Sequence, residues 1–224
     1  MVKEARRHAI EIFDWQEGEL VHAATVTDAA LFSPNDVVAV GADRFYVTND
    51  HGSYGFARTL EEWLRLERAN VVYHDGTALR TAAEGIAYAN GIEVSADGRT
   101  LYVASTTGRA LLIYDRDART GVLSNRREIA LGTAPDNIVR GAEGHLWVAA
   151  HPKLLRYVDH VKDAAALSPS QVLEVAPGAD GSAVTEVFLD DGAQLSGSSV
   201  ALRTGASLLV GPVFADHFLN CAVP

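Results

Sequence analysis

The chain of 224 residues carries 29 acidic and 19 basic side chains, and this net charge of −10 argues against nucleic acid as a partner, because phosphate binding requires a basic surface. Hydrophobic residues make up 48% and charged residues 21%, a balance typical of one globular domain and not of a disordered chain. No apolar run is long enough to cross a bilayer, and residues 1–7 show no signal peptide, so the sequence leaves the compartment open.

Short β-branched and aromatic runs, broken every few residues by Gly, Asp, Asn or Pro, follow one another along the chain. Such a pattern is typical of an all-β protein. Strands are predicted at 37–40, 44–47, 71–73, 101–104, 111–114, 146–149, 154–158, 186–189 and 208–210.

A single short helix is predicted at 57–69. Thr59 and Glu62 have the spacing of a capping box, in which the two side chains satisfy free backbone donors of the first turn. Leu60, Trp63 and Leu64 follow at helical spacing. We expect this insert to form a lid.

A larger unit recurs in which an Asn-containing turn leads into an apolar strand, a Gly turn and a second strand. Its copies begin at Asn35, Asn90 and Asn137, which are 55 and 47 residues apart, and a weaker copy begins at Ser198. This period predicts propeller blades, about four of them, in a single domain over residues 1–224. Equivalent strand ends of successive blades converge on a central channel, so residues far apart in sequence can share a site.

Amide and carboxylate side chains beside these strands are candidate calcium ligands. Calcium prefers six to eight oxygen ligands, and Asn49, Asn90, Asp136 and Asn137 supply three amides and one carboxylate. Taken singly, each Asn could equally cap a turn, which is a common use of Asn in β-rich proteins.

The contexts of these residues resemble the paraoxonase and arylesterase family of calcium-dependent lactonases over nearly the whole chain. The segments that carry the resemblance are Asn35–Val40, Thr48–His51, Val71–Tyr73, Tyr88–Ile92, Pro135–Ile138 and Val148–Pro152. The resemblance implies a six-bladed β-propeller, with the N-terminal blades lying upstream of this sequence, and calcium-dependent hydrolysis of lactones and aryl esters.

The same resemblance implies roles for individual residues. The family's catalytic calcium ligands match Asn49, Asn90, Asp136 and Asn137, and a ligand of its structural calcium matches Asp50. A further Glu and Asp of the family would lie upstream of Met1. We therefore expect weaker calcium binding and slower hydrolysis in this chain, with the structural site incomplete.

Hydrolysis also needs a residue that accepts a proton from the attacking water. In the family a His pair has this role, but the pair has no counterpart here, and His8 is displaced from the matching position. His151 matches an active-site histidine of the family, and its near-neutral titration suits proton transfer. His51 directly follows Asp50, and because neighbouring strand residues point to opposite sides, a packing role is expected for it. Tyr88 and Phe214 match pocket-lining positions, although core aromatic residues would look the same.

The single cysteine, Cys221, has no internal partner, and it is either an unpaired thiol or the C-terminal half of the disulfide that the resemblance implies. The many charges of the predicted helix argue against membrane or lipoprotein attachment, while unpaired strand edges offer a route to self-association. The expected partner is a small lactone or ester. Two rival functions stay open: a gluconolactonase-type sugar-lactone hydrolase and a non-catalytic propeller that binds a ligand or another chain.

Overall fold

The computed structural model describes residues 8–178 and 182–222 and contains five antiparallel sheets. The first is a hairpin of β1 (Ile10–Gln16) and β2 (Glu19–Val26). Blade 1 consists of β3 (Pro34–Ala39), β4 (Arg44–Asn49), β5 (Ala69–Asp75) and β6 (Leu79–Ile86). Blade 2 consists of β7 (Ala89–Val94), β8 (Thr100–Ser105), β9 (Ala110–Arg116) and β10 (Leu123–Ala130). Blade 3 consists of β11 (Ala134–Arg140), β12 (Leu146–His151), β13 (Ser170–Ala176) and β14 (Ala183–Asp190). Blade 4 consists of β15 (Ser198–Thr204), β16 (Ser207–Pro212) and β17 (Leu219–Ala222).

Each blade is an antiparallel meander in which strands adjacent in sequence are hydrogen-bonded neighbours. The first strand of each blade contacts the first strand of the next, so β3, β7, β11 and β15 form the inner layer. Four blades arranged in this way confirm the predicted β-propeller. The inner strands begin at the repeat copies read from the sequence.

The core lies between the blades, because the middle strands bury both of their faces. On β8, Leu101 and Val103 pack towards blade 1, whereas Tyr102 and Ala104 pack towards blade 3. This division follows from the two-residue period of a strand, and the absence of a polar face explains the continuous apolar runs in the sequence. Equivalent clusters join blade 3 to blade 4 and the β1–β2 hairpin to blade 1.

A polar network also joins blades 1 and 2 at the end of the propeller opposite the inner-strand starts. The hydroxyl of Tyr46 donates to the carbonyl of Gly121 at 2.8 Å and accepts from Nε of Arg116 at 3.0 Å. Arg116 in turn donates to the carbonyl of Gly98 at 2.6 Å. By contrast, the buried hydroxyl of Tyr114 has no hydrogen-bond partner among the described residues.

Helix α1 (Gly55–Trp63) begins four residues before the predicted capping box and ends well before residue 69. The capping-box prediction is wrong: Tyr54 is the N-cap residue, without a side-chain bond, and Thr59 lies inside the helix. The carboxylate of Glu62 instead contacts the ring of His51, outside the helix.

A second helix, α2 (Leu154–Lys162), replaces the strand that was predicted at 154–158. The apolar residues Leu154, Tyr157, Val158 and Val161 have helical spacing, which becomes visible only when the window extends past residue 158. Within the described ranges, no helix is long and apolar enough to span a membrane. Residues 1–7, where no signal peptide was predicted, lie outside those ranges.

Candidate functional site

All four inner strands carry an irregularity at the same place, close to their first residue. The pairing with the second strand of the blade shifts between Pro34 and Val37, between Ala89 and Ile92, between Pro135 and Ile138, and between Ser198 and Val200. A β-bulge re-aims the side chains of its extra residues, and bulges are frequent beside active sites. The bulges contain Asn90 in blade 2 and Asp136 with Asn137 in blade 3, which are three of the predicted ligands.

Blades 2 and 3 meet directly at their bulges. The side-chain amide of Asn90 donates to the Thr106 hydroxyl at 3.1 Å, and that hydroxyl donates to the Pro135 carbonyl at 2.7 Å. A Cβ atom on Gly91 would lie 2.6 Å from Cα of Asn137, so only glycine permits this approach. Asn90 and the blade 3 ligands are therefore held together by main-chain contact.

Side chains join the other two neighbouring pairs of inner strands, β3 with β7 and β11 with β15. In blade 1, Oδ2 of Asp36 accepts from the main-chain nitrogen of Ile92 at 2.9 Å. In blade 3, Nδ2 of Asn137 donates to the carbonyl and hydroxyl of Ser199 in blade 4, each at 3.1 Å. Burial raises the pKa of Asp36, and the charges of Glu93 and Asp136 add to the rise. Asp36 thus places a second carboxyl group near Asp136.

Three predicted ligands keep oxygen atoms available to a cation. Among the described residues, the amide nitrogens of Asn90 and Asn137 donate hydrogen bonds, whereas their amide oxygens accept none. Asp136 is buried, and its carboxylate faces His151 without a hydrogen bond. Two amide oxygens and a carboxylate are the donors that calcium prefers, so these residues fit such an ion. No cluster of three or more His, Cys, Asp and Glu side chains suited to a metal occurs within the described ranges.

Asn49, by contrast, lies at the end of β4 and is fully engaged. Its Oδ1 accepts from the main chain of Ser33 at 3.0 Å, and its Nδ2 donates to the Ala30 carbonyl and to Asn70, both at 2.8 Å. To bind a cation, Asn49 would have to share or exchange these partners.

Asp50 is bonded to the ring of His51 at 2.6 Å and to the hydroxyl of Ser33. The argument that His51 points away from Asp50 is wrong, because β4 ends at Asn49 and the alternation of a strand does not extend to these residues. Nε2 of His51 lies 2.8 Å from Glu62 on α1. Burial alone would lower the pKa of His51, but the hydrogen bonds to Asp50 and Glu62 raise it. His51 therefore ties α1 to blade 1.

His151, at the end of β12, is 1% exposed, and neither ring nitrogen has a hydrogen-bond partner among the described residues. Its Nε2 lies 3.4 Å from Oδ2 of Asp136, and its ring stacks on Tyr157 of α2 with centroids 3.5 Å apart. Burial, together with the charge of Asp136, raises the pKa of Tyr157 to about 12. Buried imidazoles normally have partners, so these two nitrogens mark the imidazole as a candidate for contact with a ligand.

His151 lines a cleft of about 790 Å³ between α1 and α2. Tyr88 also lines this cleft, with a left-handed φ of 59° that is uncommon for an aromatic residue. Phe214 does not line this cleft. It is 47% exposed and packs edge-on against His160 of α2, so the prediction of Phe214 as a pocket wall is not met.

Sequence reasoning missed Asp36, Thr106 and Tyr157. Asp36 lay in a segment that carried the resemblance, and its position beside Asn35 in the repeat could have placed it near the channel. Thr106 gave no signal beyond following a strand. Tyr157 was hidden because α2 was read as a strand.

The fold and the bulged inner strands define a β-propeller with a candidate site at the start of its innermost strands. The arylesterase family model matches residues 1–223. The chain belongs to the arylesterase family, which confirms the resemblance read from the sequence.

The curated relatives that resemble this chain agree with that assignment, and a solved structure shares the fold. Serum paraoxonase/arylesterase 2 of Rattus norvegicus is 36% identical over 216 residues, which cover 93% of this chain and 59% of the relative. Serum paraoxonase/arylesterase 1 of the same organism is 35% identical over 210 residues, which cover 92% of this chain and 58% of the relative. The chain thus spans less than two thirds of their length. A luciferin-regenerating enzyme shares the fold, with a TM-score of 0.60 at 17% identity over 91% of this chain and 63% of that one.

Proposed function

We propose that the chain hydrolyses carboxylic esters, both lactones and aryl esters, in the cleft between α1 and α2 with calcium as cofactor. Membership of the arylesterase family supports the reaction class. The observation that carries the proposal is His151, a buried imidazole that lines the cleft beside Asp136 and whose two nitrogens form no hydrogen bond to any described residue.

Calcium would be held by Asn90, Asp136 and Asn137, whose free oxygens come from two adjacent bulges. When bound, the ion polarises the ester carbonyl and stabilises negative charge on its oxygen in the transition state.

His151 would accept the proton of the attacking water. As the water oxygen bonds to the carbonyl carbon, one O–H bond breaks and the proton moves to the imidazole. The bond to the leaving oxygen then breaks, and the imidazolium returns the proton to that oxygen, giving an acid and an alcohol, or a hydroxy acid from a lactone. Oδ2 of Asp136 lies 3.4 Å from Nε2 of His151, on the side from which the water would be held.

The test is hydrolysis of an aryl ester, an aliphatic lactone and a sugar lactone by this chain, with calcium and with chelator. Because general-base catalysis contributes about a hundredfold to ten-thousandfold, His151→Gln is expected to lower kcat by that order. His145→Gln is the matched control, since His145 is partly exposed and bonded to Glu174 at 2.7 Å on another part of blade 3. Equal loss in both variants, or none in His151→Gln, would contradict the assignment.

A melting experiment tests the metal independently of turnover. Calcium is expected to raise the melting temperature of the wild-type chain by mass action and to raise that of Asp136→Asn less. Asp159→Asn, on the exposed surface of α2, is the control. An identical melting curve with calcium and with chelator would refute the calcium site. Sugar-lactone turnover alone would favour the gluconolactonase-type reaction, and calcium stabilisation without any turnover would favour a non-catalytic binding module.

A further inference from the structure

The charge of the cleft is opposite to the charge of the chain. Six of the chain's 19 Lys and Arg residues line the cleft, whereas Glu62 is the only acidic residue of the described ranges that does. The six basic residues are Arg58, Arg65, Arg109, Lys153, Arg156 and Lys162. A concave site that concentrates one sign of charge attracts ligands of the other sign.

Four of these six charges have no carboxylate within 4.0 Å in the described part of the chain. Arg58 contacts Glu62 at 3.4 Å and Lys162 contacts Asp159 at 3.9 Å, but no such ion pair forms at the other four. Acidic side chains outnumber basic ones in this protein, so partners are plentiful elsewhere. The unpaired charges are therefore available to a ligand in the cleft.

Arg109 is held at the cleft by its main chain. It follows β8 in a tight turn with a left-handed φ of 58°, and its main-chain nitrogen donates to the Thr106 carbonyl at 3.2 Å. Its Nε is buried and has no hydrogen-bond acceptor in the described structure. A buried guanidinium nitrogen without an acceptor is unfavourable, and an anionic ligand would supply that acceptor.

The N-terminus of α2 adds positive potential to the cleft. Its N-cap residue, Lys153, forms no side-chain cap, and the first turn contains no acidic residue. The first main-chain N–H groups of a helix lack internal partners, and the helix dipole favours an anion there. Lys153, Leu154 and Leu155 all line the cleft, and Arg156 follows them in the same turn.

Apolar side chains also line part of the cleft. Trp63 of α1 and Leu155 and Val161 of α2 line the cleft with their side chains largely exposed. A ligand that covers them needs an apolar body, and its charged end must reach Arg109 or the start of α2. The buried His151 fixes where the reacting carbonyl would lie.

We propose that this cleft selects esters or lactones that carry an anionic group, a carboxylate or a phosphate, at the end of an apolar body. The anionic group is bound by Arg109, Lys153 and Arg156 while the scissile carbonyl lies beside His151. This inference rests on the proposed hydrolase function, because it names the substrate class of the same site.

The first experiment compares monophenyl glutarate with phenyl valerate, two phenyl esters of similar length that differ in a terminal carboxylate. We expect kcat/KM to favour the anionic ester by about tenfold, and Lys153→Gln or Arg156→Gln each to reduce that preference about threefold, as for partly exposed charge contacts. The preference should also fall as salt is added, because exposed charges are screened. Arg119→Gln, on the exposed turn after β9, is the matched control. Equal kcat/KM for the two esters would overturn the proposal.

A binding experiment separates this inference from the hydrolase proposal. In calorimetry with His151→Gln, glutaric acid monoanilide is expected to bind more tightly than valeranilide, since both are anilides that resist hydrolysis. Preferential binding without ester turnover by the wild type would leave the anion site standing and refute the hydrolase function. Equal binding of the two anilides would refute the anion site even in an active enzyme.

Competition experiments identify the anion. Competition by glutarate alone assigns a carboxylate, competition by inorganic phosphate alone assigns a phosphate, and competition by neither overturns the proposal.

A vesicle experiment distinguishes a small ligand from a lipid surface. If Lys153→Gln and Arg156→Gln abolish co-sedimentation with phosphatidylserine vesicles but leave the ester preference unchanged, the basic residues bind a lipid surface and the small-ligand proposal is wrong.

Discussion

Replacement of Gly91 by alanine tests the contact on which the candidate site depends. Gly91 lies in the bulge of β7, and its Cβ would meet three backbone atoms of blade 3: Cα of Asn137 and the carbonyl of Asp136 at 2.6 Å, and the nitrogen of Ile138 at 2.7 Å. Backbone atoms cannot move aside as a flexible side chain can. The two blades must therefore separate locally, which displaces both blade 3 ligands.

The expected loss of stability is large for one methyl group. Overpacking a rigid site typically destabilises a protein by about 1–3 kcal/mol, and three simultaneous backbone contacts place Gly91→Ala at about 3 kcal/mol. In a chain of this size that corresponds to a fall of about 6–12 °C in melting temperature. The stabilisation by calcium should shrink as well, because Asp136 and Asn137 move.

Gly41→Ala is the matched control for this experiment. Its Cβ would meet only the side chain of Arg44, with Nε nearest at 3.0 Å, and that side chain can swing away. We expect a change within about 0.5 kcal/mol. Thermal unfolding of both variants, with and without calcium, decides the matter. If Gly91→Ala melts like Gly41→Ala and responds to calcium like the wild type, the bulges do not hold the site together in the way described.

Three other predictions concern parts of the molecule outside the bulges. Tyr46→Phe should destabilise the chain by about 1–3 kcal/mol in denaturant unfolding, because it leaves buried partners unsatisfied, whereas Tyr114→Phe should be nearly neutral; equal effects would contradict the polar network between blades 1 and 2. The hydrogen bond from His51 lowers the pKa of Glu62 below its ordinary value of 4.5. The contact between His51 and α1 therefore stabilises the fold fully above pH 4.5, and this stabilisation is lost as the pH falls through the lowered pKa of Glu62 in the folded chain. The amides of α1, after correction for the intrinsic pH dependence of exchange, should lose protection over that range in the wild type and show no such step in Glu62→Gln; matching profiles would refute the contact between Glu62 and His51. Cys221, partly buried and unpaired, should react with a thiol reagent once the chain is unfolded, and the absence of a reactive thiol there would show that it is already bonded to another molecule.

The blades could be predicted from the sequence because two independent signals agree. Short β-branched and aromatic runs placed all but one of the predicted strands correctly, and the spacing of Asn35, Asn90 and Asn137 indicated the blade repeat. The helices were harder to define, since their boundaries depend on contacts distant in sequence. The carboxylate of Glu62 contacts His51 and not the first turn of α1, and the helical spacing of α2 becomes visible only when the window extends past residue 158.

The candidate site was predicted in composition but not in geometry. Local motifs identified Asn90, Asp136 and Asn137, and the bulges that bring them together are invisible in a single sequence because they depend on strand pairing. Asn49 lies in an equally clear sequence motif, yet both its amide oxygen and its amide nitrogen form hydrogen bonds. The basic lining of the cleft also escaped notice, since its members come from α1, α2 and the turn after β8, and only folding collects them against the acidic average.

The left-handed backbone at Tyr88 sets stability and function against each other in this protein. Such a conformation costs roughly 1–2 kcal/mol for a residue with a side chain, and asparagine tolerates it better. Tyr88→Asn would relax the backbone but remove an aromatic wall of the cleft and the edge contact to the ring of His51, whose centroid is 4.7 Å away. A search for more heat-resistant variants would therefore tend to erode the cleft at this position. Substitutions intended to raise thermal stability are better placed in the outer strands, away from the channel.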